Sequence, residues 1–335
     1  MTGRHNHTEE AIKQRGEVFT PDGLVSDMLG KLPRYSGVNV VLGDYLTWST
    51  NMKFDVIVGN PPYNGPRKKS NGDCIWPEFV KKSLSLLNND GNLCYVHPSA
   101  WRKIKSNLWE LITQNQLQYL EIHGLRDGQK TFSCLTRYDW YVLKKSPYTT
   151  PTTIRDEEGK VISIDLRKLS WIPNDNLELI DSITAKDSDS LCEVIYDYSY
   201  GVNIPKEWMS KAENSNFKYP VIHSISKNKL PKCYYSSVNN RGHFGISKVI
   251  INDGGNIYPI NDYKGEYGMT QHCFGIVVSS KKEGDLIVAA ISTPKFKKVA
   301  EATKCSGYYV DYKVFQSFKR DFWKQFVDSE GKELK

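Results

Sequence analysis

The sequence predicts an α/β domain over residues 1–147 and a mostly β domain over 148–335. Three observations predict it. The run Phe54-Asp-Val-Ile-Val58 reads as a buried parallel strand, and it stops on Gly59-Asn60-Pro61-Pro62-Tyr63. Strand-like runs then alternate with helically spaced segments as far as Lys144. Around Lys144-Lys145-Ser146-Pro147 the pattern breaks, and turns, short strands and many tyrosines follow.

Each element has a local reason. Leu24, Val25, Met28, Leu29 and Leu32 fall on one face of a helix from about Asp22 to Leu32. Thr20 is placed to cap it, with Pro21 at its first position. Val38–Leu42 reads as a strand running into Gly43-Asp44-Tyr45. Trp76 to Leu87 reads as a helix with Phe79, Val80, Leu84 and Leu87 inward, and Asn88-Asn89-Asp90-Gly91 as a turn. Asn92–His97 is a strand closing on Pro98-Ser99-Ala100-Trp101. Trp109, Leu111 and Ile112 mark a helix, Gln118–Gly124 a strand, and Phe132 to Lys144 a final hairpin; Tyr148–Thr153 reads as a linker. The closing stretch, Lys295 to Val327, is partly helical and rich in lysine.

The tetrapeptide Asn60-Pro61-Pro62-Tyr63 cannot continue a sheet, because two prolines remove two donors and fix φ. It instead sets an amide side chain, carbonyls and an aromatic ring at the carboxyl edge of a sheet, where open α/β folds bind ligands. A strand closing on these residues resembles the catalytic motif of the gamma-class adenine-specific DNA methyltransferases, the TaqI-like and Eco57I-like N-6 DNA methylases. Arg15-Gly16-Glu17-Val18-Phe19-Thr20-Pro21 resembles the segment that precedes their cofactor site.

The resemblance implies a Rossmann-like S-adenosylmethionine-dependent domain followed by a target-recognition domain, with double-stranded DNA as partner. It implies that Asn60 and the Pro61 carbonyl accept hydrogen bonds from an adenine amine and free its lone pair. Tyr63 would stack on the extruded base, and Phe132 is placed for the same role or for the core. Phe19, Thr20 and Pro21 would enclose the methionine end of the cofactor. Asp44 would accept from its adenine amino group, with Tyr45 beside the ring; a plain turn aspartate is the other reading of Asp44.

Composition bounds the rest. The 335 residues suggest two domains, and 39% hydrophobic with 25% charged residues is ordinary for a soluble chain. No apolar run approaches the roughly 20 residues of a membrane span. Seven scattered cysteines without a Cys-x-x-Cys pair argue against a zinc cluster or disulfide framework, and for a reducing cytoplasm. Residues 1–150, 151–217 and 218–335 carry charges of +5, −6 and +8, which sum to +7. The basic carboxyl third fits a polyanion, with Lys227, Lys229, Lys232, Asn239, Asn240, Arg241 and His243 as candidate nucleic-acid contacts.

One expected part is missing. In the family a Gly-rich strand–loop–helix, and then an acidic residue for the ribose, follow the Phe-Thr-Pro segment. Here only Arg34, Tyr35, Ser36 and Gly37 separate Pro33 from Val38, where nearly two βαβ units, roughly 50–60 residues, are expected. In that family's sheet their strands lie between Val38–Leu42 and Phe54–Val58, so losing them leaves a gap of roughly 10 Å. Either the Val38–Leu42 strand moves to pair with Phe54–Val58, or a second chain completes the sheet. The alternatives are a degenerate methyltransferase that keeps DNA or protein binding, and an enzyme methylating glutamine amides or RNA.

Overall fold

The structure is a computed structural model and describes residues 20–33, 44–65, 74–305 and 307–334. Phe19, Gly43 and the expected strand Val38–Leu42 lie outside the described residues. The chain divides into two compact units, one of residues 1–175 with Cys305–Gly307, the other of residues 176–304 with 308–335.

In the first unit the helices are α1 (Asp22–Gly30), α2 (Trp76–Leu86), α3 (Trp109–Thr113) and α4 (Leu125–Phe132). The strands are β1 (Phe54–Gly59), β2 (Leu87–Pro98), β3 (Asn115–His123), β4 (Tyr138–Pro147), β5 (Thr152–Arg155) and β6 (Val161–Ile164). They form one mixed sheet in the order β1-β2-β4-β3-β5-β6. β1 pairs parallel with β2, and β3 with β5, while β4 runs antiparallel between β2 and β3.

One face of the sheet carries α2, α3 and a core including Val80, Leu93, Tyr95, Trp101 and Tyr141. On the other, α1 buries Leu24 and Met28 against Cys94, Val96, Trp140 and Val142. Burying each such side chain is worth roughly 1.5–3 kcal/mol. Gly59 ends β1 where the next strand comes close: a Cβ there would sit 3.0 Å from the Tyr95 ring.

Several expectations change. Leu29 points outward, because α1 ends at Gly30 and presents only a narrow face. Asn88–Gly91 lies within β2, but the β1 register jumps from Phe54↔Leu87 to Val56↔Asn92, so the expected turn is taken up as a bulge. The start of the expected final hairpin is α4, and the strand begins only at Tyr138. The turn after α4 folds back so tightly that a Cβ on Gly128 would meet the Thr136 carbonyl. The expected linker at 148–153 runs into β5, which pairs with β3, so the compact unit continues past the expected boundary at 147 as far as Asp175.

At the carboxyl edge of this sheet the Arg102–Asp139 pair is fully buried. Arg102 Nε donates to Asp139 Oδ2 at 2.7 Å, and its other nitrogens donate to the Ile172 carbonyl (2.7 Å) and Asn174 Oδ1 (2.9 Å). Trp101 Nε1 donates to the same Asp139 oxygen at 2.8 Å.

The second unit contains two four-stranded sheets. Its strands are β7 (Val194–Ile195), β8 (Met209–Ser210), β9 (Tyr219–Ser224), β10 (Lys232–Ser236), β11 (Lys248–Asn252), β12 (Pro259–Asp262), β13 (Gly268–Met269) and β14 (Cys273–Val277), ordered β13-β9-β10-β8 and β12-β11-β14-β7. Helices α5 (Leu177–Ile183), α6 (Lys281–Ser292), α7 (Pro294–Ala302) and α8 (Tyr312–Phe315) complete it. Phe296, Phe315, Phe318, Phe322 and Phe326 pack ring to ring in its core, so the lysine-rich closing stretch is amphipathic rather than a basic tail.

Removing one partner of a buried ion pair strands the other charge. Arg102→Ala should therefore lower unfolding free energy by about 3–5 kcal/mol, read as a reduced urea midpoint. Arg102→Met with Asp139→Leu should cost less than the sum of the two single changes.

Candidate functional site

The site is built where β1 ends. Beyond Gly59 the chain cannot pair onward, and Asn60 turns its amide toward the start of α1. Asn60 Nδ2 donates to Thr20 Oγ1 at 3.1 Å, joining two segments 40 residues apart in sequence. Asn60 Oδ1 is buried and has no hydrogen-bond partner among the described residues. A buried acceptor of this kind costs about 1–3 kcal/mol unless something fills its need.

Thr20 does not cap α1 as its sequence position suggests. Pro21 takes the capping position and makes no side-chain hydrogen bond, and the Pro21 carbonyl accepts from Val25 N–H at 3.0 Å. With the cap one residue further on, the Thr20 hydroxyl is free to fix the Asn60 amide.

Tyr63 also sits here. Its ring packs against the core that holds Trp76 and Trp101, and its hydroxyl is buried without a partner among the described residues. Burial pushes the hydroxyl's pKa up, and the nearby Tyr138 and Asp139 push it further. The second oxygen of Asp139 is likewise buried and unpartnered. Burial pushes that carboxyl up as well, against the pull of Arg102. Three unsatisfied polar atoms, on Asn60, Tyr63 and Asp139, thus lie on residues at this end of the sheet. The Ile75 N–H donates to the Tyr63 carbonyl at 3.1 Å, which pins the tetrapeptide to the entry of α2.

His97, at the end of β2, lies under Trp76 with ring centroids 4.3 Å apart. Its nitrogens reach the Pro98 carbonyl (3.0 Å) and the Tyr141 hydroxyl (3.1 Å). Burial drives its pKa down to about 4, so it is neutral near pH 7. Sequence reading singled out Trp101 but passed over Asp139 and His97; the strand closing on Pro98-Ser99-Ala100-Trp101 was the available signal.

The remaining predicted residues stand further apart. Phe132 is the last residue of α4, half-buried, with its edge on Tyr138 (centroids 4.9 Å). Tyr138 in turn stacks on His123 at 4.4 Å and 7°. Asp44 is exposed, and its Oδ1 accepts from Leu46 N–H at 2.9 Å, the geometry of a turn aspartate. Tyr45 stacks on Phe79 (5.5 Å, 6°) and hydrogen-bonds Ser83 Oγ at 2.7 Å. That chain continues from Ser83 to Tyr95 at 2.5 Å, so Tyr45 anchors its segment to α2. In the second unit, Lys227, Lys229, Lys232, Asn239, Asn240 and Arg241 are exposed. His243 is 1% exposed, packed on Tyr200, so it is corrected from a surface contact to a core residue.

Comparison with known proteins finds likenesses over part of the chain. Residues 33–132 match the Eco57I restriction-modification methylase family. The matched stretch takes in Asn60–Tyr63, Asp44, His97, Arg102 and Phe132. The modification methylase CviBIII of Paramecium bursaria Chlorella virus NC1A is 31% identical over 151 residues, 40% of this chain and 38% of that protein. The chain therefore spans well under half the length of that relative. Among solved structures, the type IIL restriction-modification enzyme MmeI bound to DNA is 10% identical over 79% of this chain and 45% of its own, with a TM-score of 0.43. A class I S-adenosylmethionine-dependent methyltransferase of Listeria monocytogenes is 13% identical over 33% of this chain and 39% of its own, with a TM-score of 0.26. Likenesses of that order assign no chemistry. No described helix is long and apolar enough to cross a membrane.

Two outcomes follow for this edge. Because the Tyr63 hydroxyl is buried unpaired, Tyr63→Phe should leave stability unchanged or raise it by about 1 kcal/mol, whereas Tyr63→Ala should lower it by about 3 kcal/mol or more. Both are read by urea unfolding. His97 has a folded pKa of about 4, below its unfolded value of 6.5. Its neutral form therefore supports the fold fully above pH 6.5, and that support is lost as pH falls towards 4, by about 1.4 kcal/mol per pH unit. His97→Gln should flatten this part of the stability–pH curve.

Proposed function

We propose that the chain is the methyltransferase of a restriction-modification system, acting on the exocyclic amine of adenine in DNA with S-adenosylmethionine as methyl donor. The observation that carries the reading is the Asn60 side chain. Its amide is fixed by Thr20, and its buried carbonyl oxygen, at the end of β1, has no partner among the described residues. An adenine amine is a weak nucleophile because its lone pair is delocalised into the ring. Two acceptors, Asn60 Oδ1 and the Pro61 carbonyl, draw its two N–H bonds to one side and favour a pyramidal nitrogen. The lone pair then projects outward, and the rate gain comes from holding it there.

A base inside a duplex cannot reach this edge, so the target is extruded. Tyr63 stacks on the extruded base, with the Phe132–Tyr138 pair as a further aromatic wall. The donor supplies an electrophilic methyl group when bound. Thr20, Pro21 and Asp44 are the described residues that would hold it, and Phe19 is proposed with them from the resemblance. The fit is partial, because Tyr45 is committed to Phe79 and Ser83. The Gly-rich segment that would wrap the donor is also missing from the sequence.

That missing segment favours a second reading, in which the chain keeps DNA or protein binding but has lost catalysis. Titration calorimetry with S-adenosylmethionine separates the two. Heat of binding at or below millimolar donor is expected for the enzyme, and its absence would sink that reading for this chain on its own. If the donor binds, Asn60→Ala should lower methyl incorporation into adenine by at least 100-fold, roughly the weight of one polarising group, with donor affinity within about 2-fold. An Asn60→Ala protein of full activity would refute the site.

A further inference from the structure

In the second unit, the segments 196–208 and 237–243 bring two cations and several aromatic faces together. The Arg241 guanidinium lies 3.7 Å from the centroid of the Trp208 ring. Lys206 Nζ is 5.9 Å from the same ring and donates to the Tyr198 carbonyl. Trp208 is anchored through its indole N–H to the Ser199 carbonyl at 3.1 Å. Tyr198 is 55% exposed. Its ring meets the edge of Tyr196 at 5.7 Å.

The cluster is built on a rigid support. The Arg241 N–H donates to the hydroxyl of Tyr200 at 3.2 Å, and Tyr200 is fully buried. Beneath it His243 accepts from Met269 N–H at 3.1 Å. Gly242 takes φ +83°, a left-handed turn with no atom within 4 Å of where a Cβ would be, and Arg241 before it is exposed.

Charge and shape point to one class of partner. Among the described residues neither Arg241 nor Lys206 has an ion-pair partner. Asp197, a carboxylate that acts on Lys206, is engaged by the Ser199 N–H at 2.7 Å and by His243 at 3.1 Å. Partial burial lowers the Lys206 pKa; Asp197 opposes that shift and Arg241 adds to it. Two cations over one ring, without an ion-pair contact among the described residues, call for an anion. An exposed tyrosine ring on the segment that carries Lys206, and a guanidinium plane lying on Trp208, call for a flat aromatic ligand. A nucleotide supplies both, but only when its base is out of the stack, since a duplex buries base faces against one another.

We propose that Tyr198, Lys206, Trp208 and Arg241 form a seat for an unpaired stretch of DNA. Tyr198 and the Arg241 plane stack on bases, and Lys206 and Arg241 meet phosphates. The proposal rests on the reading of the chain as a DNA-acting protein, and it adds that unstacked nucleotides are held in the second unit.

Fluorescence anisotropy of the full chain tests it without any methyl donor. Three labelled DNAs are compared: a single strand, its perfect duplex, and the duplex with a central unpaired bubble. The single strand and the bubble should bind more tightly than the duplex. Tyr198→Ala should weaken those two about 5- to 100-fold, the loss of stacking on one base, and change the duplex less than 2-fold. Arg241→Gln should lower the salt slope by roughly 0.7 for single-strand binding. Equal binding of all three DNAs, or a Tyr198→Ala loss shared by the perfect duplex, would overturn the proposal. So would failure to bind any DNA, the outcome expected if the patch serves a protein partner. Val161→Ala, at an exposed position of the first unit, serves as the control and should bind as the unaltered chain does. A chain that binds no S-adenosylmethionine yet prefers the bubble would lose the enzyme reading and keep the seat.

Discussion

The Arg102 guanidinium has no access to water, and the need to neutralise it where it lies organises the carboxyl edge of the first unit. Asp139 supplies the charge, Asn174 and the Ile172 carbonyl each accept from one of the guanidinium's terminal nitrogens, and Trp101 spends its indole N–H on the same carboxylate. Four pieces of chain distant in sequence are thereby held to one point: the turn after β2, the start of β4, and residues 172–174, with Cys305 against them. Such a pair adds little net stability over an apolar replacement, because desolvation offsets much of the attraction. Its effect here is on geometry. With one Asp139 oxygen saturated, the other is left bare in the neighbourhood of Tyr63.

Asn60, Tyr63 and Asp139 show how polar atoms can be left unsatisfied without unfolding the edge. Each belongs to a side chain with a second anchor. Asn60 is held by Thr20 through its nitrogen, Tyr63 by ring packing and its carbonyl, and Asp139 by Arg102 and Trp101. The cost of each orphan is borne by the surrounding core. Orphaned groups of that kind are characteristic of sites shaped for a ligand rather than for stability alone.

Much of this was legible in the sequence where the signal was local. The β1 strand and its tetrapeptide, the inward face of α2 and the break-off of β2 at Pro98 follow from periodicity and proline chemistry. What was not legible depends on distant partners. The helix Leu125–Phe132 has too few apolar residues to show a helical face, and it is defined by the Gly124 entry and the tight return over Gly128. The strands β5 and β6 are four residues each and read as a threonine-rich linker until β3 offers an edge to pair with. His243 looked like a surface contact because its neighbours Asn240 and Arg241 are exposed; the left-handed Gly242 reverses the chain and sends the imidazole inward. Lys206 and Trp208 carried no sequence signal, because they meet Arg241 only through the fold.

The arrangement at β1 also separates two properties that the family's motif joins. The orientation of the Asn60 amide is set from the α1 side by Thr20, and its position by β1 pairing with β2. Neither depends on the strands that would follow the Phe-Thr-Pro segment in a full-length sheet. Among the described residues β1 has β2 as its one neighbour, and Val58 is 40% exposed. The placement of the Asn60 amide is therefore independent of the donor-wrapping segment. On the proposed reading, Asn60 with Thr20 behind it would serve the acceptor side, and donor binding would need further groups, from this chain or from a second one.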